Sequence, residues 1–442
     1  MTASIVWFRR DLRLGDHPAL HAACREGAAV VPLFVWDERL LDGGSASAAR
    51  RLRLEAAVAA LQRDLRTHGG RLVIRRGNPR QEVPRLAREI GASTVHASRD
   101  YTPYARARDD AVGREVQLRL HGGQLLQEPE ELGDARVFTS FHRRWSALPV
   151  FDPLPAPHRL VVPAGVPGEG SPAVEPRGEA EANERLREFA RGAARHYGSD
   201  RDRLDRDGTS RLSADLHLGT ISPRQAFHGV EQPAFRRQLA WRDWASHVLF
   251  FRPQAIRDAW QPRYRGLPWL EDDVAAQAWK RGMTGYPAVD AAMRQLAEEG
   301  WIHNRARLIV ASFLAKDLLL DWRIGEAHFL ASLVDGDVAN NSLNWQWAAG
   351  VGTDAAPFFR MLNPVLQSKR FDPDGAWIRR WVPELAGLGA GDIHEPWSAK
   401  AGPPRGYPAP IVEHAVARQR AMEWFSRYAA ASGRREVPER KQ

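Results

Sequence analysis

Short apolar runs alternate with longer amphipathic stretches over the first 130 residues of the chain. Four of the runs are rich in Val and Ile, as buried strands usually are: SIVWF, AVVPLFVWD, RLVIRR and STVHAS. Helical patterns lie between them, at residues 18–26, 46–68 and 81–90. Strands that alternate with helices indicate a parallel sheet with helices on both faces, so the pattern predicts an α/β domain over residues 1–130.

The pattern changes beyond this first domain. A stretch rich in Pro and Gly, from Pro149 to Gly178, lies within a predicted interdomain linker over residues 131–180. Helical periodicity then dominates, and in PAVDAAMRQLAEEG the apolar spacing predicts an amphipathic helix that Gly300 is placed to end. The next run, IHNRARLIVASFLAKDLLLDW, is apolar on most faces and predicts a buried central helix. We therefore predict a larger all-α domain over residues 181–430 and a short tail over residues 431–442.

Composition and charge favour an anionic partner. The formal net charge is +9, and the basic excess is carried mostly by Arg, whose planar guanidinium binds phosphate bidentately. Nucleic acid is the simplest such partner, although a GC-rich genome that encodes Arg in place of Lys would give the same excess. No apolar run reaches the roughly 18 residues of a membrane span, and the single Cys24 rules out an internal disulfide framework. We expect a cytoplasmic protein with neither a membrane partner nor a metal site.

The segment DGTSRLSADL is a candidate phosphate site. Neither GxGxxG nor GxxxxGK follows any predicted strand, so a Rossmann-type dinucleotide site and a P-loop have no support. This segment instead places the hydroxyls of Thr209, Ser210 and Ser213, together with Arg211, at a predicted helix start. Such a cluster suits a phosphate or pyrophosphate, and plain capping of the helix is the alternative interpretation.

The start of the central helix carries polar residues that need partners. Asn304, Arg307 and Leu308 share a helical face, and a buried helix cannot leave an arginine unpaired without cost. The acids of the DGD segment, Asp335 and Asp337, are natural candidates. A structural ion pair at a helix end is the alternative.

Tryptophan is concentrated in the same region. Trp345 and Trp347 are two residues apart, so on a helix they point in nearly opposite directions, whereas Asn341 and Trp345 share a face. One ring could then face an interior cofactor while the other lines a cavity. Ordinary core packing is the alternative for any single tryptophan.

Taken together, these segments resemble the photolyase/cryptochrome family of flavoproteins, and most closely its class I cyclobutane pyrimidine dimer photolyases. The family's order is followed by IVWFRRDLRLGDHPAL, GTSRLS, LGTISPRQ, WRDW, GMTGYPAVDAAMRQL, GWIHNRARLIVASFL, LVDGDVANN and WQWAAGVGTDAAPFFRMLNP, from about residue 4 to about residue 425. The resemblance implies a bent FAD inside the helical domain.

The resemblance also implies roles for individual residues. Arg307 and Asp335 match an ion pair beside the isoalloxazine, Asp337 matches a contact to the ring edge or the ribityl chain, and Asn341 matches the residue that faces flavin N5. An amide at that position can hydrogen-bond the protonated N5 and favour the reduced flavin. The implied cofactor-binding residues are Tyr197, Thr209, Ser210, Arg211, Leu212, Ser213, Gln238, Arg242, Asn304, Arg307, Asp335, Asp337 and Asn341.

The implied catalytic residues are Asn341 and an electron-transfer wire of three tryptophans, Trp345, Trp322 and Trp269. Trp241 and Trp347 match two walls of a cavity that holds a dimer flipped out of the duplex. Photolyases and other base-modifying enzymes reach their target bases by this flipping. The implied contacts to substrate and DNA are Arg201, Gln238, Trp241, Arg242, Asn304, Arg305, Leu308, Trp347 and Arg360.

Some positions depart from the family pattern. Gln238 stands where cyclobutane-dimer photolyases carry Glu, as it does in six–four photolyases and animal cryptochromes, and Leu308 stands where they usually carry Met. Against the six–four class, Asn304 occupies the place of its second His, and we interpret the neighbouring His303 as structural. Thr102 occupies the place of the Glu of folate-binding members, so a deazaflavin, a second flavin or no antenna chromophore is expected in preference to folate.

The resemblance favours one function over three alternatives. We expect a monomeric deoxyribodipyrimidine photo-lyase that repairs cyclobutane dimers in UV-damaged DNA by electron transfer from excited reduced FAD. The alternatives are a six–four photolyase, a cryptochrome-type blue-light photoreceptor, and a nucleic-acid binder that has lost its flavin. The presence of Asn341, Arg307 and Asp335 argues against the last.

Overall fold

The computed structural model describes residues 3–26, 29–43, 47–353, 360–400 and 402–433, with side chains to residue 428. The chain divides into two compact units that are not continuous in sequence. The first consists of Met1–Gly198, Thr209–Pro253 and Val334–Ala339, and the second of Ser199–Gly208, Gln254–Leu333 and Asn340–Gln442. The predicted domain boundaries stay predictions. The predicted helix start at residue 46 and the predicted tail beyond residue 433 lie outside the described residues.

The first unit contains a five-stranded sheet among its described residues. The strands are β1 (Ala3–Phe8), β2 (Ala29–Trp36), β3 (Val73–Arg76), β4 (Ala92–Ser98) and β5 (Leu118–His121). Their order is β3-β2-β1-β4-β5, and every neighbouring pair is parallel. The four strands predicted from apolar runs are confirmed, and the short edge strand β5 was not predicted.

Twelve α-helices and one 3-10 helix (Ala193–His196) begin before residue 253 in the described part of the chain. The α-helices are α1 (Pro18–Arg25), α2 (Glu38–Leu41), α3 (Ala48–Thr67), α4 (Pro79–Ile90), α5 (Pro103–Gly113), α6 (Pro129–Leu132), α7 (Phe138–Ala147), α8 (Glu179–Arg191), α9 (Tyr197–Asp200), α10 (Ser213–Leu218), α11 (Pro223–Gly229) and α12 (Pro233–Phe251). Proline occupies the first turn of several of them, where its missing N–H has no helical partner to lose. Residues 149–178 form no helix or strand beyond an isolated bridge between Glu169 and Ile74, whereas α7 lies within the predicted linker.

Helices cover the sheet on both faces. Along β1, Val6 and Phe8 pack with residues of α3 such as Leu61. The alternate residues Ile5 and Trp7 pack with α4 and α5 on the other side. Because successive strand residues point to opposite faces, two separate apolar clusters on one strand show that both faces are buried. The predicted fold class is confirmed.

The described part of the second unit is helical and irregular. Its α-helices are α13 (Asp273–Arg281), α14 (Pro287–Glu299), α15 (Asn304–Ser312), α16 (Trp322–Ser332), α17 (Val338–Ala349), α18 (Pro364–Phe371), α19 (Ala376–Trp381) and α20 (His414–Gly433). The first residues of α17 belong to the first unit. None of the described helices combines the length and the apolar character needed to cross a membrane.

The predicted central helix is buried but shorter than its apolar run. Gly300 ends α14 with a φ of 62°, as predicted. The following helix α15 ends at Ser312 and passes into a π-helical turn, Phe313–Asp317. Leu319 then adopts a φ of 53°, which ends the helical path before α16 begins at Trp322.

A buried carboxylate fastens α12 to the segment before it. Asp243 is 1% exposed, and its Oδ2 accepts hydrogen bonds from the backbone N–H of Leu126 and from Trp145 Nε1, at 2.8 and 3.0 Å. Burial raises the pKa of Asp243 from 3.8 to about 6, against the opposing charge of Arg242 and these hydrogen bonds.

This raised pKa predicts a pH dependence of stability. Between about pH 4 and pH 6 the folded protein binds the Asp243 proton more tightly than the unfolded chain does. Protonation of Asp243 therefore stabilises the folded protein at low pH, and this stabilisation is lost as the pH rises through the folded pKa. Relative to Asp243→Asn, the wild-type protein should lose up to about 3 kcal/mol of unfolding free energy over that range. Urea unfolding at several pH values checks this, with the exposed Asp110→Asn as control. Parallel curves for wild type and Asp243→Asn would contradict it.

Candidate functional site

The segment from Thr209 to Ser213 has unusual backbone geometry. Arg211 has a φ of 50°, which is uncommon for a residue other than glycine, and the N–H of Leu212 lies 3.4 Å from Ser210 Oγ. Left-handed residues beside right-handed ones let successive backbone N–H groups converge on an anion. The segment therefore fits the predicted phosphate clamp. Tyr197, in the same unit, is buried edge-on against Phe189 and Phe235.

Asp215 fixes the position of this segment. It lies two residues beyond Ser213 in α10, its side chain is 1% exposed, and it pairs with Arg53 and Arg185. Its Oδ1 also accepts a hydrogen bond from Thr220 Oγ1 at 3.0 Å. Sequence reasoning did not identify Asp215 or its two arginine partners.

Three predicted site residues share one face of α12. Gln238, Trp241 and Arg242 are partly exposed, whereas Leu239 and Ala240 are buried. The Trp241 ring stacks on the Phe138 ring with centroids 3.5 Å apart and planes 6° apart. This stacking fixes the ring plane of the predicted cavity wall.

Two of these side chains have backbone partners in the structure. Arg242 donates to the carbonyl oxygens of Gln124 and Leu216, and Gln238 Nε2 lies 3.5 Å from the carbonyl oxygen of Ala234. Burial lowers the pKa of the Arg242 guanidinium. The contacts predicted for both residues with cofactor and DNA stay predictions.

The two acids of the DGD segment belong to the first unit. Asp337 forms an ion pair with Arg10, and His217 Nδ1 lies 3.8 Å from its Oδ2. Burial lowers the pKa of His217, and Arg10 adds to that effect. Asp335 is 7% exposed and lies close enough to Arg50 for their charges to interact. Sequence reasoning missed Arg10, although it lies two residues beyond β1 in the RRD motif, near the edge where α/β sheets bind ligands.

The first turn of α15 presents the face that the helical spacing predicted. Asn304 is exposed and Arg307 and Leu308 are partly exposed, whereas Ala306 and Ile309 are buried. Arg307 Nε donates to the carbonyl oxygen of Ile302 at 3.0 Å.

The neighbouring residue His303 caps α15. Its Nδ1 accepts a hydrogen bond from the backbone N–H of Arg305 at 3.1 Å. This is the structural role expected for His303.

Two arginines predicted to contact DNA share an acid. Arg305 Nη2 lies 3.0 Å from Asp202 Oδ1, and Arg201 Nε lies 3.9 Å from the same oxygen. The Arg305 guanidinium also covers the Phe371 ring at 4.4 Å. The carbonyl oxygen of Arg360 accepts a hydrogen bond from the buried Lys316.

Trp345 packs directly on the backbone of α16. A Cβ placed on Gly325 would lie 2.0 Å from Trp345 Cη2, so only glycine admits the ring there. Trp345 is 2% exposed and meets Phe329 and Trp279 edge-on, at 5.0 and 6.0 Å between centroids. Trp347 is partly exposed, as the opposite helical direction requires.

A backbone bridge joins the two segments that carry the other tryptophans of the predicted wire. Trp322 starts α16, one turn before Gly325, and is 1% exposed. Leu270 forms an isolated parallel bridge with Leu320 and donates its N–H to the carbonyl oxygen of Leu319 at 2.9 Å. This bridge places the partly exposed Trp269 beside the chain that enters α16. Trp345 and Trp322 are therefore both buried, and Trp269 is the partly exposed member of the series.

Glu326 sets the orientation of Asn341. Asn341 Nδ2 donates to the carbonyl oxygen of Glu326 at 2.9 Å and to its Oε1 at 2.8 Å. A carbonyl oxygen can only accept, so the Asn341 atom that faces it must be the NH2 group. Both amide hydrogens are then used, and Oδ1 is left to accept a hydrogen bond from a ligand. Sequence reasoning missed Glu326, because three of the six residues of the DWRIGE segment are charged and nothing sets this acid apart from the other two.

The comparisons with known proteins agree with this architecture. The family described as DNA photolyase matches residues 4–158, and the family described as FAD binding domain of DNA photolyase matches residues 235–427. The deoxyribodipyrimidine photo-lyase of Streptomyces griseus is 43% identical to this chain and covers 95% of this chain and 98% of its own. Two solved structures are also similar. A class III photolyase from Agrobacterium tumefaciens gives a TM-score of 0.90 at 38% identity, covering 97% of this chain and 98% of its own. An archaeal photolyase from Sulfolobus tokodaii, which holds two FAD molecules, gives 0.88 at 31% identity, covering 96% and 100%.

A parallel α/β sheet combined with a helical FAD-binding domain defines a light-dependent flavoprotein class. This chain belongs to the DNA photolyase family and carries its FAD-binding domain. The resemblance identified from sequence is confirmed. The backbone geometry at Arg211 and the acceptor orientation of Asn341 both fit an FAD. The individual site residues and the antenna chromophore stay predictions.

Thr102, at the position that bears on the antenna chromophore, caps α5. Its Oγ1 accepts a hydrogen bond from the backbone N–H of Ala105.

Proposed function

We propose that this protein repairs cyclobutane pyrimidine dimers in cytoplasmic DNA, using light and a reduced FAD. The observation that carries the proposal is the orientation of Asn341, which offers an oxygen acceptor and no donor at the position predicted to face flavin N5. A protonated N5 exists in the reduced flavin, so this acceptor favours the state that repair requires. The chemistry that FAD would supply is donation of one excited electron to the dimer and its recovery afterwards.

The protein's own residues position the reactants. The segment from Thr209 to Ser213 would hold the FAD phosphates, since its backbone suits an anion. Trp241 would stack against the flipped dimer, because Phe138 already fixes its ring plane. No side chain is assigned as a nucleophile. Position, electrostatics and exclusion of water are the protein's contribution.

The lesion is the finer part of the proposal, and paired assays test it. FAD-reduced protein is mixed with oligonucleotides that carry either a cyclobutane dimer or a six–four photoproduct, and restored thymines are measured after blue light and in the dark. We expect light-dependent restoration of the cyclobutane dimer alone. Restoration of the six–four lesion alone would reassign the substrate to the class that Gln238 suggests. Restoration of neither would remove the repair proposal.

The orientation of Asn341 predicts an effect on flavin potential. Glu326→Leu removes the side-chain acceptor of Asn341 Nδ2 and leaves only the backbone carbonyl oxygen. Asn341 is then held less firmly, and the reduced flavin loses part of its hydrogen bond. A net hydrogen bond of about 1 kcal/mol corresponds to a fall of roughly 20 mV in the two-electron midpoint potential. Spectroelectrochemical titration of the FAD-loaded protein measures it. Glu326→Gln keeps an acceptor oxygen and should retain most of the wild-type potential. A potential that is the same in Glu326→Leu would contradict this role.

The pairing of Asp202 predicts an effect on DNA affinity. Asp202 neutralises Arg305, which is proposed to contact phosphate, and its carboxylate repels the same phosphates. Asp202→Asn should therefore tighten DNA binding, by about 0.2–1 kcal/mol or up to about fivefold in Kd, because partly exposed ion pairs are weak. Fluorescence anisotropy at low salt measures this, and the exposed Asp273→Asn serves as a charge-matched control. Weaker or unchanged binding in Asp202→Asn would contradict it.

A further inference from the structure

The C-terminal helix α20 places two oxidisable rings next to the predicted wire. Trp424 packs against Trp269 with ring centroids 5.0 Å apart and planes 39° apart. Tyr428 lies one helical turn further along the same face, 5.3 Å from Trp424. Trp424 and Tyr428 are partly exposed, as Trp269 is.

Hydrogen bonds fix the position of α20 in the second unit. His414 Nδ1 lies 2.6 Å from Asp317 Oδ1, and Arg420 donates to the carbonyl oxygen of Asp317 at 2.7 Å. Tyr286 accepts from the backbone N–H of His414 and donates to the carbonyl oxygen of Val412. These hydrogen bonds therefore hold the first half of α20 in place and with it the contact between Trp424 and Trp269.

The distances favour electron transfer beyond Trp269. Tunnelling between rings falls exponentially with distance, and rings whose centroids are about 5 Å apart are in van der Waals contact. Phe425 also lies near Trp269, at 6.2 Å, but a phenyl ring is not oxidised under these conditions. Trp424 is thus the described oxidisable neighbour of Trp269 on α20.

We propose that Trp424 extends the wire and receives the oxidising equivalent from Trp269. This inference rests on the proposed role of Trp345, Trp322 and Trp269 in reducing the flavin, and the primary oxidant is the light-excited oxidised flavin. One electron passes from the Trp424 indole to the Trp269 radical cation, so Trp269 returns to its closed-shell form. The Trp424 radical cation then releases its Nε1 proton to solvent.

An external reductant returns the oxidised aromatic residues to their closed-shell forms. Tyr428 can pass one electron to the Trp424 radical while its phenolic proton leaves to water, and Trp424 regains a proton at Nε1. An external thiol then reduces the tyrosyl radical and is itself oxidised towards a disulfide. Each photon therefore moves one electron inward, and the hole ends near the surface, far from the electron. Trp424 therefore lengthens the distance between the electron on the flavin and the hole, and slows their recombination.

Pulsed-laser absorption and electron paramagnetic resonance of the FAD-loaded, oxidised protein test the proposal. Trp424→Phe removes the oxidisable ring, whereas Trp424→Tyr has nearly the same shape as Phe but keeps an oxidisable ring. Phe425→Leu is a packing control on the same helix. We expect Trp424→Phe to shorten the radical-pair lifetime several-fold and to reduce the spin–spin separation. Trp424→Tyr should preserve a long-lived pair, and Phe425→Leu should match the wild type.

Each result decides between the alternatives. An unchanged lifetime and spin separation in Trp424→Phe overturns the proposal, and so does an equal loss in Trp424→Tyr and Phe425→Leu, which would mean that only packing matters. Trp269→Phe identifies a failure further upstream: if it leaves the radical pair unchanged, holes do not reach Trp269 and Trp424 has no role. Repair by chemically reduced protein, measured on the same preparations, reports separately on the proposed function.

Discussion

Gly325→Ala should destabilise the protein and disrupt light-driven reduction of the flavin. The added Cβ would lie 2.0 Å from Trp345 Cη2 and 2.7 Å from a Leu314 methyl carbon, well inside van der Waals contact. The Trp345 ring cannot move away cheaply, because it is 2% exposed and is enclosed by Phe329 and Trp279. Overpacking of this kind costs about 1–3 kcal/mol. The better helix propensity of Ala returns at most about 1 kcal/mol.

The same displacement should affect electron transfer. If Trp345 is the first donor to the flavin, a shift of its ring lengthens the first tunnelling step, and flavin photoreduction should slow several-fold. Thermal unfolding and photoreduction under continuous blue light measure the two effects. Gly391→Ala is the matched control, since a Cβ there meets nothing within 4 Å. It should change stability by no more than about 0.5 kcal/mol. Equal behaviour of the two variants would contradict the packing argument.

The regular parts of the fold could be predicted from sequence because local signals agree with burial. The strands β1 and β2 are apolar runs that are buried along their whole length, and the end of α14 is marked by Gly300. The edge strand β5 carries no such signal, since its four residues LRLH are only partly buried. The end of α15 could not be predicted either, because the π-helical turn and the left-handed Leu319 interrupt a run that remains apolar throughout.

The candidate site was predictable only through family resemblance. Composition and helical spacing placed Asn341 and Trp345 on one face, but they could not indicate that Glu326 holds the amide or that Gly325 admits the ring. These two residues act through three-dimensional contacts with residues 15 and 20 positions away in sequence. The same is true of Arg10, which pairs with Asp337 across more than three hundred residues. Sequence periodicity covers neighbours within one element, so long-range partners of this kind are outside its reach.

Asp215→Ala should give the largest loss of stability and of FAD. The Asp215 carboxylate is 1% exposed and is shared by Arg53, Arg185 and the hydroxyl of Thr220. Removing one partner of a buried ion pair costs about 3–5 kcal/mol. The Arg185 side chain is 41% exposed and can be rehydrated, so we expect the lower end of that range. Because α10 begins at Ser213, the loss of Asp215 also releases the segment proposed to hold the FAD phosphates.

Two measurements on one set of variants check this expectation. Urea unfolding should show a decrease of about 3 kcal/mol for Asp215→Ala, and FAD titration of the folded protein should show weaker binding. Glu184→Ala breaks the exposed ion pair with Arg187 on α8 and should cost about 1 kcal/mol or less, with unchanged FAD binding. Asp215→Asn keeps an acceptor for Thr220, so its loss of unfolding free energy should lie between those of Asp215→Ala and Glu184→Ala. If Asp215→Ala lost stability but bound FAD as tightly as the wild type, the Thr209–Ser213 segment would not be the phosphate clamp. An unchanged unfolding free energy would instead show that the two arginines find equivalent partners in water.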